Sequence, residues 1–200
     1  MKYRTVVIDP PWNVGLTGGL LKDKRCLKDT KYYRCGKGMP YKKMSDSEVL
    51  AFPINDFASD VCDLFIWTTH RKLPIAMECL KQWGFKYHVL LTWNKTNGIG
   101  INGFHRKTEL VVYGYRKKMG VLITPGHYIP TLFTEKLTKN SVKPNIFYAI
   151  LRERTTKPRI DIFARKRHYG FDAYGDQVEL SMEVPLQLFE KRQTVVRKES

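Results

Sequence analysis

"TVVIDPPWN", residues 5–13, runs a β-branched apolar stretch into a single carboxylate, two consecutive prolines and an aromatic. Thr5 to Ile8 show no polar alternation, the pattern of a strand covered on both faces. Pro10 and Pro11 fix their own φ, confine Asp9 and Pro10 to extended backbone, and end the strand at once. In open parallel sheets ligands bind beyond the carboxyl ends of the strands, and Asp9 stands at such an end. Neither proline has an N–H, so the carbonyls of Asp9 and Pro10 are expected to face outward as acceptors beside an aromatic plane. The exocyclic amine of a nucleobase suits that set: two N–H donors meet two acceptors while the ring stacks on Trp12 or another aromatic. Stacking of that sort is worth about 1–3 kcal/mol per base. A stiff turn with a solvated Asp and a core Trp accounts for the four residues equally well.

The downstream order of elements supports an α/β sheet, mostly parallel, with helices over both faces. "MSDSEVLAF" predicts a helix capped by Ser45, with Glu48 closing a capping box. "DLFIWTT" predicts a strand leading into the helix "RKLPIAMECLKQWGF", with Leu73, Ala76, Met77 and Leu80 on one face and Gly84 at its end. "KYHVLLTW" and "TELVVYGY" read as strands joined by a Gly-rich basic loop, and "MGVLIT" as a candidate strand. Pro144 opens the helix of "SVKPNIFYAILRERTT", with Ile146, Ile150 and Leu151 apolar. "PRIDIFA" is a further strand and "YGDQVEL" begins another. The 200 residues are expected to form one domain over 1–180, with basic insertion loops at about 13–43 and 94–107 and a peripheral tail at 181–200.

Composition narrows the partner. Lys and Arg number 35 against 19 Asp and Glu, a net charge of +16 that suits a polyanion. Nine basic and two acidic residues fall within 13–43, whereas 178–200 is balanced at four each. The surplus therefore sits beside the Asp-Pro-Pro-Trp, which solubility alone would not require. No apolar run approaches a membrane span, so no membrane partner is expected. Cys26, Cys35, Cys62 and Cys79 form no C-x-x-C pair and read as reduced thiols of a cytoplasmic protein, in a bacterial, archaeal or phage-infected cell. No metal site is expected.

"DPPW" resembles the [DNS]-P-P-[YFW] motif of amino-methyltransferases. With "MPYKKMSDSEV", "DLFIWTT", "LKQWGFK", "LTWNKTN", "KTELVVYGYR", "SVKP" and "FARKRHYGFDAYGDQ", the chain from about residue 3 to 179 is similar to the mRNA-adenine-methyltransferase-like family. The resemblance implies a Rossmann-like methyltransferase fold in the circularly permuted β-class motif order. It also implies transfer from S-adenosyl-L-methionine to the 6-amino group of adenine in nucleic acid. It gives Asp9, Pro10, Pro11 and Trp12 the catalytic role. Asp9, Lys143, Arg165, Arg167, Asp176 and Gln177 are implied at the cofactor, Lys143 near its methionine carboxylate and Asp176 and Gln177 near its ribose and adenine. Asp176 stands where relatives carry Asn and keeps only acceptor capacity. Phe163 reads as core.

The same resemblance places Tyr41 near the target base, with Asn94, Lys95, Arg106 and Glu109 as further substrate-side residues. Tyr32, Tyr33, Tyr41, Phe104 and His105 intersperse aromatics among Lys and Arg, a composition for stacking bases and tracking phosphates. A short, basic chain without accessory domains favours DNA over RNA. An RNA adenine methyltransferase, a non-catalytic nucleic-acid-binding subunit, and methylation of a cytosine amine or protein amide stay open. So does the oligomeric state, a homodimer included.

Overall fold

The run expected as a covered strand is β1 (Tyr3–Ile8), in which Val6, Val7 and Ile8 are wholly buried. The computed structural model describes residues 1–14, 43–101, 103–122, 128–137, 142–175 and 179–180. After β1 come α1 (Asp46–Leu50), α2 (Ile54–Phe57), β2 (Ala58–Thr68), α3 (Leu73–Gln82), β3 (Lys86–Ile101) and β4 (Phe104–Arg116). Then follow β5 (Leu132–Thr134), α4 (Asn145–Arg154), β6 (Arg159–Ile162), β7 (Lys166–Arg167), β8 (Asp172–Tyr174) and β9 (Glu179–Leu180). The main sheet runs β5-β3-β4-β2-β1-β6-β8, with β1 parallel to β2 on one side and to β6 on the other.

Side chains of a strand alternate between faces, and here both faces are filled. Val6 and Ile8 pack with Leu64, Ile66 and Ile162 against Val49, Ile54, Ala76 and Leu80 of α1, α2 and α3. Val7 turns the other way, into Phe65, Trp67, Val111, Phe133 and the α4 residues Ile146–Leu151. Helices thus cover both faces of the sheet. The α1 cap is as expected: Ser45 accepts from the Glu48 N–H while its own N–H donates to Glu48, at 2.7 Å. In α3 the inward residues are Ala76, Cys79 and Leu80, with Leu73 and Met77 packed at the edge of the core. The six consecutive buried residues of α4 exceed the three-residue stripe expected, because the helix lies against the sheet centre and is wrapped by Phe171 and Phe133.

The sheet is mixed rather than uniformly parallel, because β4 is antiparallel to both β2 and β3. Residues 94–107, expected as a loop, are mostly strand. Ile99, Gly100 and Ile101 face Arg106, His105 and Phe104 in a hairpin that turns at Gly103, where φ is +79°. The irregularity is confined to a bulge between Asn94 and Ile99, with Thr96 at φ +62°. Composition suggested a loop because glycine and lysine are poor strand formers, whereas cross-strand pairing decides the outcome. "MGVLIT" forms no strand over its described residues 119–122. The Gly120 N–H donates instead to Asp63 at 3.0 Å and the Leu122 N–H to the Arg154 carbonyl at 2.8 Å. "YGDQVEL" is divided between the end of β8 and β9. Cys62 and Cys79 are buried free thiols. Cys26, Cys35, most of the 13–43 segment and the 181–200 tail lie outside the described residues. No helix among the described residues is long and apolar enough to cross a membrane.

Gly114 sets how closely α3 approaches the sheet. A Cβ there would sit 2.6 Å from Leu80 Cδ1 and 2.7 Å from the Lys86 carbonyl oxygen. Gly114→Ala is expected to cost about 1–3 kcal/mol by overpacking, measured by urea unfolding.

Candidate active site

The β1–β6 pairing continues one residue past the strand, because the Asp9 N–H donates to the Ile162 carbonyl at 3.1 Å. The prolines then turn the chain sharply. The Trp12 N–H donates to the Pro10 carbonyl at 2.7 Å, and the Met44 N–H to the Pro11 carbonyl at 3.0 Å. The Pro10 carbonyl, expected to face outward unencumbered, is therefore already an acceptor within its own turn. Carbonyl oxygen has a second lone pair, so capacity for one further donor remains. Of the two placements the sequence leaves open for Trp12, the structure has the core one. Its side chain lies in the core, 6% exposed, and its indole N–H donates to the Trp67 carbonyl at 2.9 Å. It anchors the turn and offers no open face for a base to stack on.

Asp9 meets α4 and β4 through one lysine. Lys143, two residues before α4, places Nζ 3.1 Å from Asp9 Oδ1 and 3.0 Å from Glu109 Oε2. The ammonium also lies 4.8 Å from the centroid of the Trp67 ring, within cation–π range. Glu109 takes a second cation on its other oxygen, Lys95 Nζ at 3.1 Å. Burial works against the Glu109 carboxylate, yet Lys143 and Lys95 together outweigh it and hold its pKa at about 2. Burial lifts Asp9 above the ordinary carboxylate range despite Lys143, and neighbouring Glu109 adds to the lift. Burial disfavours the Lys143 charge too, but Asp9 and Glu109 overcome it and its pKa is raised. The site carries a firmly charged Glu109–Lys143 pair with a more basic carboxylate, Asp9, at its edge.

Several expected contacts are relocated by this network. Lys95 points into Glu109 rather than outward. Asn94 holds the bulge, its Oδ1 accepting from the Thr96 N–H at 3.1 Å and its Nδ2 lying 3.4 Å from Thr134 Oγ1. The N–H groups at the start of α4 are not open to an anion. The Glu135 carboxylate occupies two of them, Asn145 at 3.0 Å and Ile146 at 2.9 Å. Arg106 lies in the hairpin, opposite Ile99.

A cavity opens between the ends of β1 and β6, lined by Asp9, Lys143, Tyr148, Asp161, Phe163, Arg165 and His168. It brings together Asp9, Lys143 and Arg165, three of the residues that the resemblance implies at the cofactor. Phe163 bends the chain there with φ at +62°, and packs against Phe52. Arg167 is not part of this lining; it faces a different cavity with Arg159 and Tyr169. The neighbouring His168 lines both cavities and is stacked on Tyr148 with centroids 3.4 Å apart. Burial depresses the His168 pKa to about 3. Asp161, Tyr148, His168 and Glu135 went unrecognised in the sequence. A lone Asp inside the apolar "RIDIF" was the available signal, since Asp is almost never fully buried without a role or a partner. Tyr41, Asp176 and Gln177 lie outside the described residues.

A parallel-centred sheet with helices on both faces, and a charged cleft at the switch between its two inner strands, defines a Rossmann-like α/β methyltransferase fold. The MT-A70 family model matches residues 3–177, and the chain belongs to that family. It is 26% identical over 200 residues to the type II methyltransferase M.MunI of Mycoplasma sp, covering 93% of this chain and 82% of that protein. It is 25% identical over 191 residues to an N(6)-adenosine-methyltransferase MT-A70-like protein of Arabidopsis thaliana, covering 88% of this chain and 24% of the relative. Over 96 residues it is 27% identical to the human N(6)-adenosine-methyltransferase catalytic subunit METTL3, 48% of this chain and 13% of METTL3. The chain thus spans most of the first relative and a quarter or less of the other two.

Asp161 gives the cleft a pH signature. Tyr148 donates to its Oδ2 at 2.8 Å, Oδ1 is buried with no partner among the described residues, and burial pushes its pKa up to about 8. From pH 4 to about 8 the folded chain holds a proton that the unfolded chain has released, so stability falls as pH rises through that window. Asp161→Asn removes this titration. The thermal midpoint of the wild type is expected to fall relative to that of the variant between pH 5 and 8, then level off. A difference constant across pH would contradict the assignment.

Proposed function

We propose that this chain transfers a methyl group from S-adenosyl-L-methionine to the 6-amino nitrogen of adenine in DNA. The observation that carries the reading is the placement of Asp9, clamped by Pro10 and Pro11, at the mouth of a cleft between β1 and β6. The cleft chemistry fits the methyl donor. The sulfonium and α-ammonium of the donor call for anionic surroundings, which the Asp9 carboxylate supplies. Its carboxylate calls for a cation, which Lys143 or Arg165 supplies. Bound there, the cofactor brings a methyl group already activated for displacement.

The adenine amine is a poor nucleophile because its lone pair is delocalised into the ring. Asp9 and the spare lone pair of the Pro10 carbonyl would each accept one amine N–H, pyramidalising the nitrogen and localising that pair. With the donor bound, that pair would form the N–C bond as the C–S bond breaks, the bonding electrons leaving with sulfur. The methylated amine then sheds one proton. Asp9, made more basic by its burial, is placed to receive it. Lys143 positions Asp9, and Glu109 with Lys95 fixes Lys143. Alignment of nitrogen, methyl and sulfur supplies most of the rate, on the order of 7 kcal/mol or more.

The +16 charge suits a nucleic acid of either kind. DNA is favoured by the alignment of the type II methyltransferase M.MunI with 93% of this chain, against 48% for the human N(6)-adenosine-methyltransferase METTL3. The test offers single- and double-stranded DNA and RNA with radiolabelled donor, followed by nucleoside digestion and mass spectrometry. N6-methyladenine in DNA is expected, and Asp9→Ala is expected to lower its formation by about 100-fold or more. Incorporation indifferent to Asp9→Ala would overturn its role. Methylcytosine, or RNA alone as the acceptor, would overturn the assigned substrate.

A further inference from the structure

We propose that Phe104, at the tip of the β3–β4 hairpin, is a wedge that enters a DNA duplex and holds open the base step from which the target adenine is taken. The proposal rests on the adenine-in-DNA reading of the site and assigns the hairpin a task in that reaction. Phe104 begins β4 beside the turn at Gly103 and is 73% exposed, a large apolar ring displayed where folding gains nothing from it. Residues 94–108 contain Lys95, Arg106 and Lys107, with His105, and no acidic residue. A lone aromatic on such a cationic hairpin suits a polyanion that also presents apolar stacked rings.

The hairpin is tied to the reaction centre by a continuous strand. Glu109, which holds Lys143 against Asp9, lies five positions along β4 from Phe104, about 17 Å at the rise of an extended strand. That reach exceeds the depth of either duplex groove, about 7.5–8.5 Å, and leaves room for an extruded nucleotide between tip and cleft. Strand alternation separates the two roles. Glu109 faces α4 and the cleft. Phe104 shares the parity of Thr108, whose hydroxyl lies 2.8 Å from His70 Nε2, at the end of β2 on the far side of the sheet from α4. The bulge between Asn94 and Ile99 bends the hairpin between these two stations. Enzymes that modify a base take it out of the stack at a cost of a few kcal/mol, and inserted apolar side chains meet that cost by filling the vacated step.

The test compares wild type, Phe104→Ala and Phe104→Trp on one sequence offered as duplex and as single strand, with 2-aminopurine at the target position as a second readout. The ratio of duplex to single-strand methylation is expected to fall at least tenfold in Phe104→Ala and to recover in Phe104→Trp. The rise in 2-aminopurine fluorescence on duplex binding should fall and recover in parallel. An unchanged ratio, or an equal loss on both polymers, overturns the wedge while leaving the reading of the site intact. A wild-type dimer that Phe104→Ala converts to monomer assigns the ring to self-association and also overturns it. Wild type that methylates neither polymer removes the site reading and the wedge with it.

Discussion

The Lys143 ammonium, shared between Asp9 and Glu109, is the contact on which the geometry of the cleft depends. Three elements distant in sequence meet at that one nitrogen: the end of β1, the middle of β4 and the approach to α4. Exposed ion pairs contribute little to stability, but this one is largely buried, with side-chain exposures of 13% for Lys143 and 16% for Asp9. Removing any one partner would leave an uncompensated charge in a poorly solvated place. The arrangement therefore favours a single placement of the Asp9 carboxylate over maximal stability. Lys95 closes the network from the outside, and Trp67 lines it from below.

The sheet makes that meeting unavoidable. With β1 inside a parallel trio, its carboxyl end shares an edge with that of β6, and the cleft forms where the connections diverge to opposite faces. The antiparallel β4 then delivers Glu109 to the same edge from the other direction. Two tryptophans brace the result. Trp12 ties the proline turn to β2 through the Trp67 carbonyl, and Trp93 ties β3 to Glu135, whose carboxylate caps α4 just beyond Lys143. The backbone around Asp9 and Lys143 is thus held from several sides, the rigidity that the proposed alignment of reacting atoms requires.

Much of this was legible in the residue order. The β-branched run before Asp9, the capping box at Ser45 and the Pro144 helix start are local signals, and each produced the element it promised. The β3–β4 hairpin was hidden because its glycines and lysines argue for a loop, and only pairing across the strands overrides that preference. Charge pairing was equally hidden: Lys95 and Lys143 were read as facing ligands because their common partner, Glu109, is remote from both in sequence. Stacking surface and core anchor stay equally open for Trp12 in the sequence, since an aromatic after two prolines does not reveal which side of the turn it takes. Asp161 is a buried carboxylate whose apolar neighbours in "RIDIF" disclose it, and Asp63 in "VCDLF" is another.

The central claim is that the cleft between β1 and β6 receives the methyl donor beside Asp9, and calorimetric titration with S-adenosylhomocysteine tests it most directly. The account predicts one site per chain saturating below about 1 mM ligand, with affinity weakened by Lys143→Gln. No heat of binding at millimolar ligand, or an affinity that Lys143→Gln leaves unchanged, would contradict it.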